Sequence, residues 1–184
     1  IYHDIGKLNS PGMFIENISD PDINSPHLNM SPLESAETIL AHVYDGVRMA
    51  KKYHLPWDIR DIIQQHHGDS SVKFFLEKAR RELPPGGELN ESAFHYNCPR
   101  PQTVEAALIM LADSVSSAVT GLGRSADQQL KAETVARIIS EKAECGQLDD
   151  CSFTPAMQRR TAHVFLDVLG TIDYERVKNY PHGK

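Results

Sequence analysis

The chain has 184 residues, 40% of them hydrophobic and 24% charged, a globular balance that excludes a disordered chain and a collagen-like repeat. Its formal net charge of −6 argues against a dedicated nucleic-acid binder, whose phosphate contacts need clustered Lys and Arg; a small phosphorylated substrate stays open, because a metal can supply positive charge locally. The longest apolar run, Ala106 to Ala112, is seven residues against about 20 for a membrane span, so no spanning segment is expected.

The chain opens Ile1-Tyr2-His3, with no initiator Met and no signal peptide, and reads as a piece of a longer protein. Ile1 to Lys7 resembles the last turn of a helix. Leu8 to Met30, with Pro11, Pro21 and Pro26 among Asn and Asp, reads as a long loop. Ser31, Pro32 and Glu34 then form a capping-box pattern. Ala36, Ile39, Leu40, Val43, Val47 and Ala50 follow at helical spacing and predict a helix to about Tyr53. A second helix is predicted from Trp57 to His67, with Gly68 as its stop, and a third from Ser71 to Leu83. Pro84-Pro85-Gly86-Gly87 opens a loop that lasts to Gln102.

Thr103 caps the next predicted helix, to about Leu122, with Leu108, Leu111, Ala112, Val115, Val119 and Leu122 on the buried side. A turn at Gly121 to Ser125 leads to a helix from Lys131 to Cys145 that ends at Gly146. Thr154-Pro155 starts the last long helix, to about Leu169, and a short turn covers Tyr174 to Lys178. No alternating strand pattern and no repeat occurs. The expectation is a single all-α domain over 1–184. Cys98, Cys145 and Cys151 are odd in number with no CxxC pair, which argues against a disulfide framework and a zinc ribbon.

The histidines carry the chemistry. His3-Asp4 and His66-His67 each put two ligand-type side chains next to one another. Neighbours on a helix diverge by 100°, so such a pair shares a site only near a helix end or around more than one ion. His42 lies at the edge of the apolar stripe of its helix, and His66 four residues after Ile62. Asp113 interrupts the most apolar helix, where a carboxylate is costly unless paired or ion-bound. Imidazole and carboxylate together suit Fe, Mn, Zn or Ni. Each of these has a plainer reading alone: a satisfied histidine, a rim carboxylate, a helix C-terminus complementing its dipole. Together they point to one metal centre.

His3-Asp4-Ile5-Gly6-Lys7 resembles the signature of the HD superfamily of metal-dependent phosphohydrolases. The match continues in order through Pro26-His27, Ser31-Pro32, Ser35-Ala36, His42-Val43, Asp45-Gly46-Val47 and Leu55-Pro56. It extends to His66-His67-Gly68, Pro101-Gln102-Thr103 and Leu111-Ala112-Asp113-Ser114. The set is similar to the HD domain of seven-transmembrane HD receptors, whose characterised members are cyclic di-AMP phosphodiesterases. The resemblance implies an HD-domain helical bundle, cytoplasmic, in a membrane-anchored bacterial parent. It implies two divalent ions, Mn or Fe, with Asp4 bridging both, His3 and Asp113 on one, and His42, His66 and His67 on the other. It also implies a histidine from a helix upstream of Ile1. The implied activity is opening of cyclic di-AMP to pApA, with Lys7 stabilising developing charge and His27 as a further substrate contact. The implied partner is a small cyclic dinucleotide, not a polymeric nucleic acid. A cyclic di-GMP reading is disfavoured: a Gly-Tyr-Pro motif is absent, and Gly68-Asp69-Ser70 follow the His pair. A non-catalytic sensory HD module would show eroded ligand positions, and these are intact.

Overall fold

The structure is a computed structural model that describes residues 2–14, 17, 25–123 and 126–178, and of 172–178 the helical backbone alone. Among the described residues six α-helices and short 3₁₀ turns occur with no strand, apart from an isolated antiparallel bridge between Ser71 and His95. The chain divides into two compact units, Ile1–Arg100 and Pro101–Lys184.

In the first unit the N-terminal segment is a 3₁₀ turn, Ile5–Asn9, followed by a second, Pro11–Met13. Helix α1 runs Pro32–Lys52. Ser31 accepts from the Glu34 backbone N–H, and the Glu34 carboxylate returns to the Ser31 N–H at 2.9 Å. That reciprocal bond satisfies two of the amides a helix start leaves orphaned. At the other end, His54 N–H reaches Lys51 O and Leu55 N–H reaches Ala50 O, a Schellman closure. His54 takes the left-handed conformation there, with φ of 55°, a position that favours glycine.

Helix α2 covers Trp57–Gln65, so His66 and His67 lie just beyond it rather than within it. Gly68, at φ of 56°, turns the chain away. Helix α3 covers Lys73–Glu82, and a 3₁₀ turn, Glu91–Phe94, interrupts the loop that follows. Ala36, Phe75, Leu76 and Phe94 form one core cluster of this unit. Each large apolar side chain buried there contributes about 1.5–3 kcal/mol.

The N-terminal turn is seated on α1 by two glycines. A Cβ on Gly6 would stand 1.9 Å from His42 O and 2.5 Å from the Gly46 nitrogen. A Cβ on Gly46 would meet Ile63 Cγ2 at 2.8 Å. The approach is backbone to backbone, and it places Asp4 beside His42.

The second unit contains α4 (Val104–Gly121), α5 (Gln128–Glu144) and α6 (Pro155–Lys178). Thr103 caps α4 through Ala106 N–H. By length and composition α4 would pass for a membrane-crossing helix, but it also carries Glu105 and Asp113. Its Ala107, Leu111 and Val115 pack with Val135, Ile139, Leu148 and Phe153, and α6 adds Phe165 and Leu166. Of the expected buried side of α4, Leu111 and Val115 are buried and Leu108 and Val119 partly so, while Ala106, Ala107 and Met110 are buried in addition. Helix α5 starts three residues before the expected Lys131, because Asp127 Oδ1 accepts from Leu130 N–H at 2.7 Å. It ends in a Schellman motif at Gly146, with Gln147 N–H on Lys142 O. Helix α6 runs on through Gly170 to Lys178 and absorbs the separate turn expected at Tyr174 to Lys178.

Candidate metal centre

Asp4, His42, His66 and His67 come together in the first unit, with one ligand atom from each lying within 4.8 Å of the others. Three local features bring them there. The 3₁₀ turn is fastened to α1 through Gly6, which sets Asp4. His42 sits inside α1, four residues before Gly46. His66 and His67 follow the last turn of α2, where the chain leaves helical geometry and both rings can face one point.

The tautomers are fixed by the backbone. His42 Nδ1–H donates to Ile39 O at 2.5 Å, and His66 Nδ1–H donates to Ile63 O at 2.8 Å. A carbonyl only accepts, so in each neutral ring Nε2 is left as a lone pair. Those two Nε2 atoms stand 3.3 Å apart. Each also faces Asp4 Oδ1, at 3.4 Å from His42 and 3.6 Å from His66. Asp4 Oδ1 is buried and receives no hydrogen bond among the described residues. Two lone pairs and a carboxylate oxygen directed at one another repel unless a cation lies among them. The residues therefore fit a divalent metal with N and O ligands.

The other carboxylate oxygen is held by neighbours in sequence. Lys7 Nζ–H donates to Asp4 Oδ2 at 2.8 Å, and His3 Nε2 is 3.2 Å from it. Burial pushes the Asp4 carboxyl up, but the hydrogen bonds that reach it, from His3 and Lys7 among others, more than reverse that and hold it far below the ordinary carboxylate range. Asp4 is thus an anion at any working pH, suited to bind a cation and not to lend a proton.

Aromatic groups wall the cluster. Phe14 meets the His42 ring edge-on at 5.8 Å, and Lys7 Nζ lies 5.2 Å from the centre of the same phenyl ring. Tyr96 lies flat on His67, with centroids 4.3 Å apart and planes 17° from parallel. Neither Phe14 nor Tyr96 is marked by periodicity or by a chemistry-bearing motif in the sequence.

The remaining site expectations fall as follows. His3 is partly buried beside Asp4, its ring edge-on to His66 at 5.1 Å. His27 is buried, donates from Nε2 to Met13 O at 2.8 Å and lies 5.0 Å from the Phe75 ring. Asp113 is a half-buried residue of α4, in the second unit.

A family model described as HD domain matches residues 1–118. The chain belongs to the HD domain family. Its six helices are those of that fold, and HD domains bind divalent metal ions, as the donor set here would. The HD chain is similar to the cyclic-di-AMP phosphodiesterase PgpH of Bacillus subtilis (strain 168), 37% identical over 180 residues, covering 98% of this chain and 24% of that protein. It is similar to PgpH of Listeria monocytogenes (strain 10403S), 36% identical over 186 residues, covering 100% and 24%. Two crystal structures of the L. monocytogenes PgpH HD domain, one in complex with cyclic-di-AMP, superpose with TM-scores of 0.84 and 0.85. Each is 33% identical and covers 93% of this chain and 77% of the solved one. The chain thus spans about a quarter of the length of the curated relatives it matches.

Proposed function

We propose that this HD domain is a metal-dependent phosphodiesterase that opens cyclic di-AMP to pApA at a two-metal centre. The observation that carries the reading is the convergence of Asp4 Oδ1 with the two lone-pair nitrogens of His42 and His66, at 3.3 to 3.6 Å. Support for the substrate comes from the PgpH relatives and from the solved HD domain holding cyclic-di-AMP. In this reading Asp4 would be a ligand to both ions, His42, His66 and His67 would hold one, and His3 and Asp113 would hold the other, as the family motif implies. Mn or Fe is the metal proposed. The parent protein is proposed to be membrane-anchored, with this domain on the cytoplasmic side.

Bound metals would supply an activated water and neutralise charge on the non-bridging phosphoryl oxygens. The chain's own residues supply orientation. Two backbone carbonyls pin the His42 and His66 rings before any ligand arrives. Phe14 and Tyr96 exclude water from the ring faces they cover. Lys7, beside Asp4, adds a positive charge next to the reacting phosphate. The water oxygen forms a bond to phosphorus, the P–O bond to a ribose oxygen breaks, and that oxygen leaves with a proton.

The test is product analysis with purified protein and added Mn²⁺ or Fe²⁺, using cyclic di-AMP and cyclic di-GMP at matched metal and salt. The expected result is pApA as product and a clear preference for the adenine dinucleotide. Faster turnover of cyclic di-GMP would reverse the substrate assignment.

A further inference from the structure

We infer that Tyr96 is a positioning residue for the metal centre: its ring fixes the orientation of His67 and favours the ion-bound form of that imidazole. The inference rests on the metal-centre reading above and adds a residue to it. His42 and His66 are each oriented by a backbone carbonyl three residues earlier. His67 presents its face to the Tyr96 ring at 4.3 Å and 17°, while it is tilted to His66 and edge-on to His42. A near-parallel stack at that spacing restricts rotation about the Cβ–Cγ bond of His67. The electron-rich phenol face also attracts an imidazole made electropositive by a bound cation more than it attracts a neutral ring.

Tyr96 can do this because its own place is over-determined. It is buried. Its N–H donates to Ser70 O at 2.9 Å, and the Ser70 hydroxyl donates to His67 O at 2.6 Å. One residue thus joins the backbone of Tyr96 to that of His67. Val72 N–H on Phe94 O, at 2.8 Å, and Arg100 on Asp69 Oδ2, at 3.0 and 3.1 Å, brace the two segments on either side. The segment around Tyr96 and the one that follows His67 form a single hydrogen-bonded unit, which carries the tyrosine ring onto the ligand.

The experiment is Co²⁺ and Mn²⁺ titration of the wild-type chain, Tyr96→Leu, Tyr96→Met and Tyr96→Phe, following bound metal per chain and the Co²⁺ visible spectrum. Thermal denaturation in chelator reports the fold separately. Groups that orient metal ligands are worth about 10–100-fold in affinity. Tyr96→Leu should weaken one bound ion by about tenfold and shift the Co²⁺ spectrum at full loading, while Tyr96→Phe, which keeps the ring, should resemble the wild type. Tyr96→Met gives a second ringless variant should the leucine protein not fold. Wild-type affinity and an unchanged spectrum in a folded ringless variant would overturn the inference alone. A wild-type chain that takes up no metal would overturn the metal-centre reading and this inference with it.

Discussion

Replacing Asp4 by alanine removes the carboxylate that His42 and His66 face at 3.4 and 3.6 Å and that Lys7 holds at 2.8 Å. On the bridging assignment it takes a ligand from both ions and leaves their mutual repulsion unscreened. His42→Ala takes a ligand from one. Asp4→Ala should strip both metals and abolish turnover, whereas His42→Ala should release mainly one ion and keep trace activity at high metal concentration. Counting metals per chain beside the rate checks this, and two retained metals with near-normal turnover in Asp4→Ala would remove the bridging role. His3-Asp4 and His66-His67 are legible in the sequence because two adjacent ligand-type residues are rarely useful inside a regular helix. Tyr96 is not legible, because its contact with His67 depends on the bridge between Ser71 and His95, and a single bridge has no period.

At the scale of elements, the site depends on how closely the N-terminal 3₁₀ turn lies on α1. Gly6 has no room for a methyl group: its Cβ would lie 1.9 Å from the His42 carbonyl oxygen, which is backbone and cannot rotate aside. Gly6→Ala should therefore cost about 3 kcal/mol or more and weaken metal binding. Gly12→Ala, whose Cβ would meet nothing within 4 Å, is the control, expected to lie within about 0.5 kcal/mol of wild type. Equal urea midpoints for the two variants would show that the turn yields easily. The start of α1 is readable to the residue, since Ser31, Pro32 and Glu34 each act locally. The start of α5 is not, because Asp127 caps ahead of the apolar positions that announce the helix. The close packing of Gly6 on Gly46 is invisible for a different reason: two glycines 40 residues apart say nothing until the chain brings them together.

At the scale of the molecule, a metal held by residues from 4 to 67 binds the folded chain and not the unfolded one. Saturating Mn²⁺ at a hundredfold excess over its dissociation constant should add about 2.7 kcal/mol to stability. For a chain of this size that is a rise in Tm of roughly 5–10 °C, reversed by a chelator and absent in Asp4→Ala. A Tm that ignores Mn²⁺ would mean that the ligands do not act as one site. The all-α class is legible from helical spacing alone, and element lengths are less so. Helix α4 has the length and composition of a membrane span, although its longest apolar run is seven residues, and its Ala107, Leu111 and Val115 are core. Helix α6 is longer than its apolar stripe, since Gly170 stays helical.

The two carbonyl-pinned rings have a consequence for proton bookkeeping. His42 and His66 have committed Nδ1–H to Ile39 and Ile63, and Nε2 points into the cluster. With a metal on Nε2, each ring would be engaged at both nitrogens and would have no lone pair left to accept a proton. Asp4, held anionic by its surroundings, has no proton to give. His42, His66 and Asp4 would therefore be poor acid–base catalysts in a metal-loaded site. In the proposed reaction, the proton that the departing ribose oxygen needs would be carried in by Lys7 or by solvent. On that reading His42 and His66 would serve as fixed ligands and not as a proton relay.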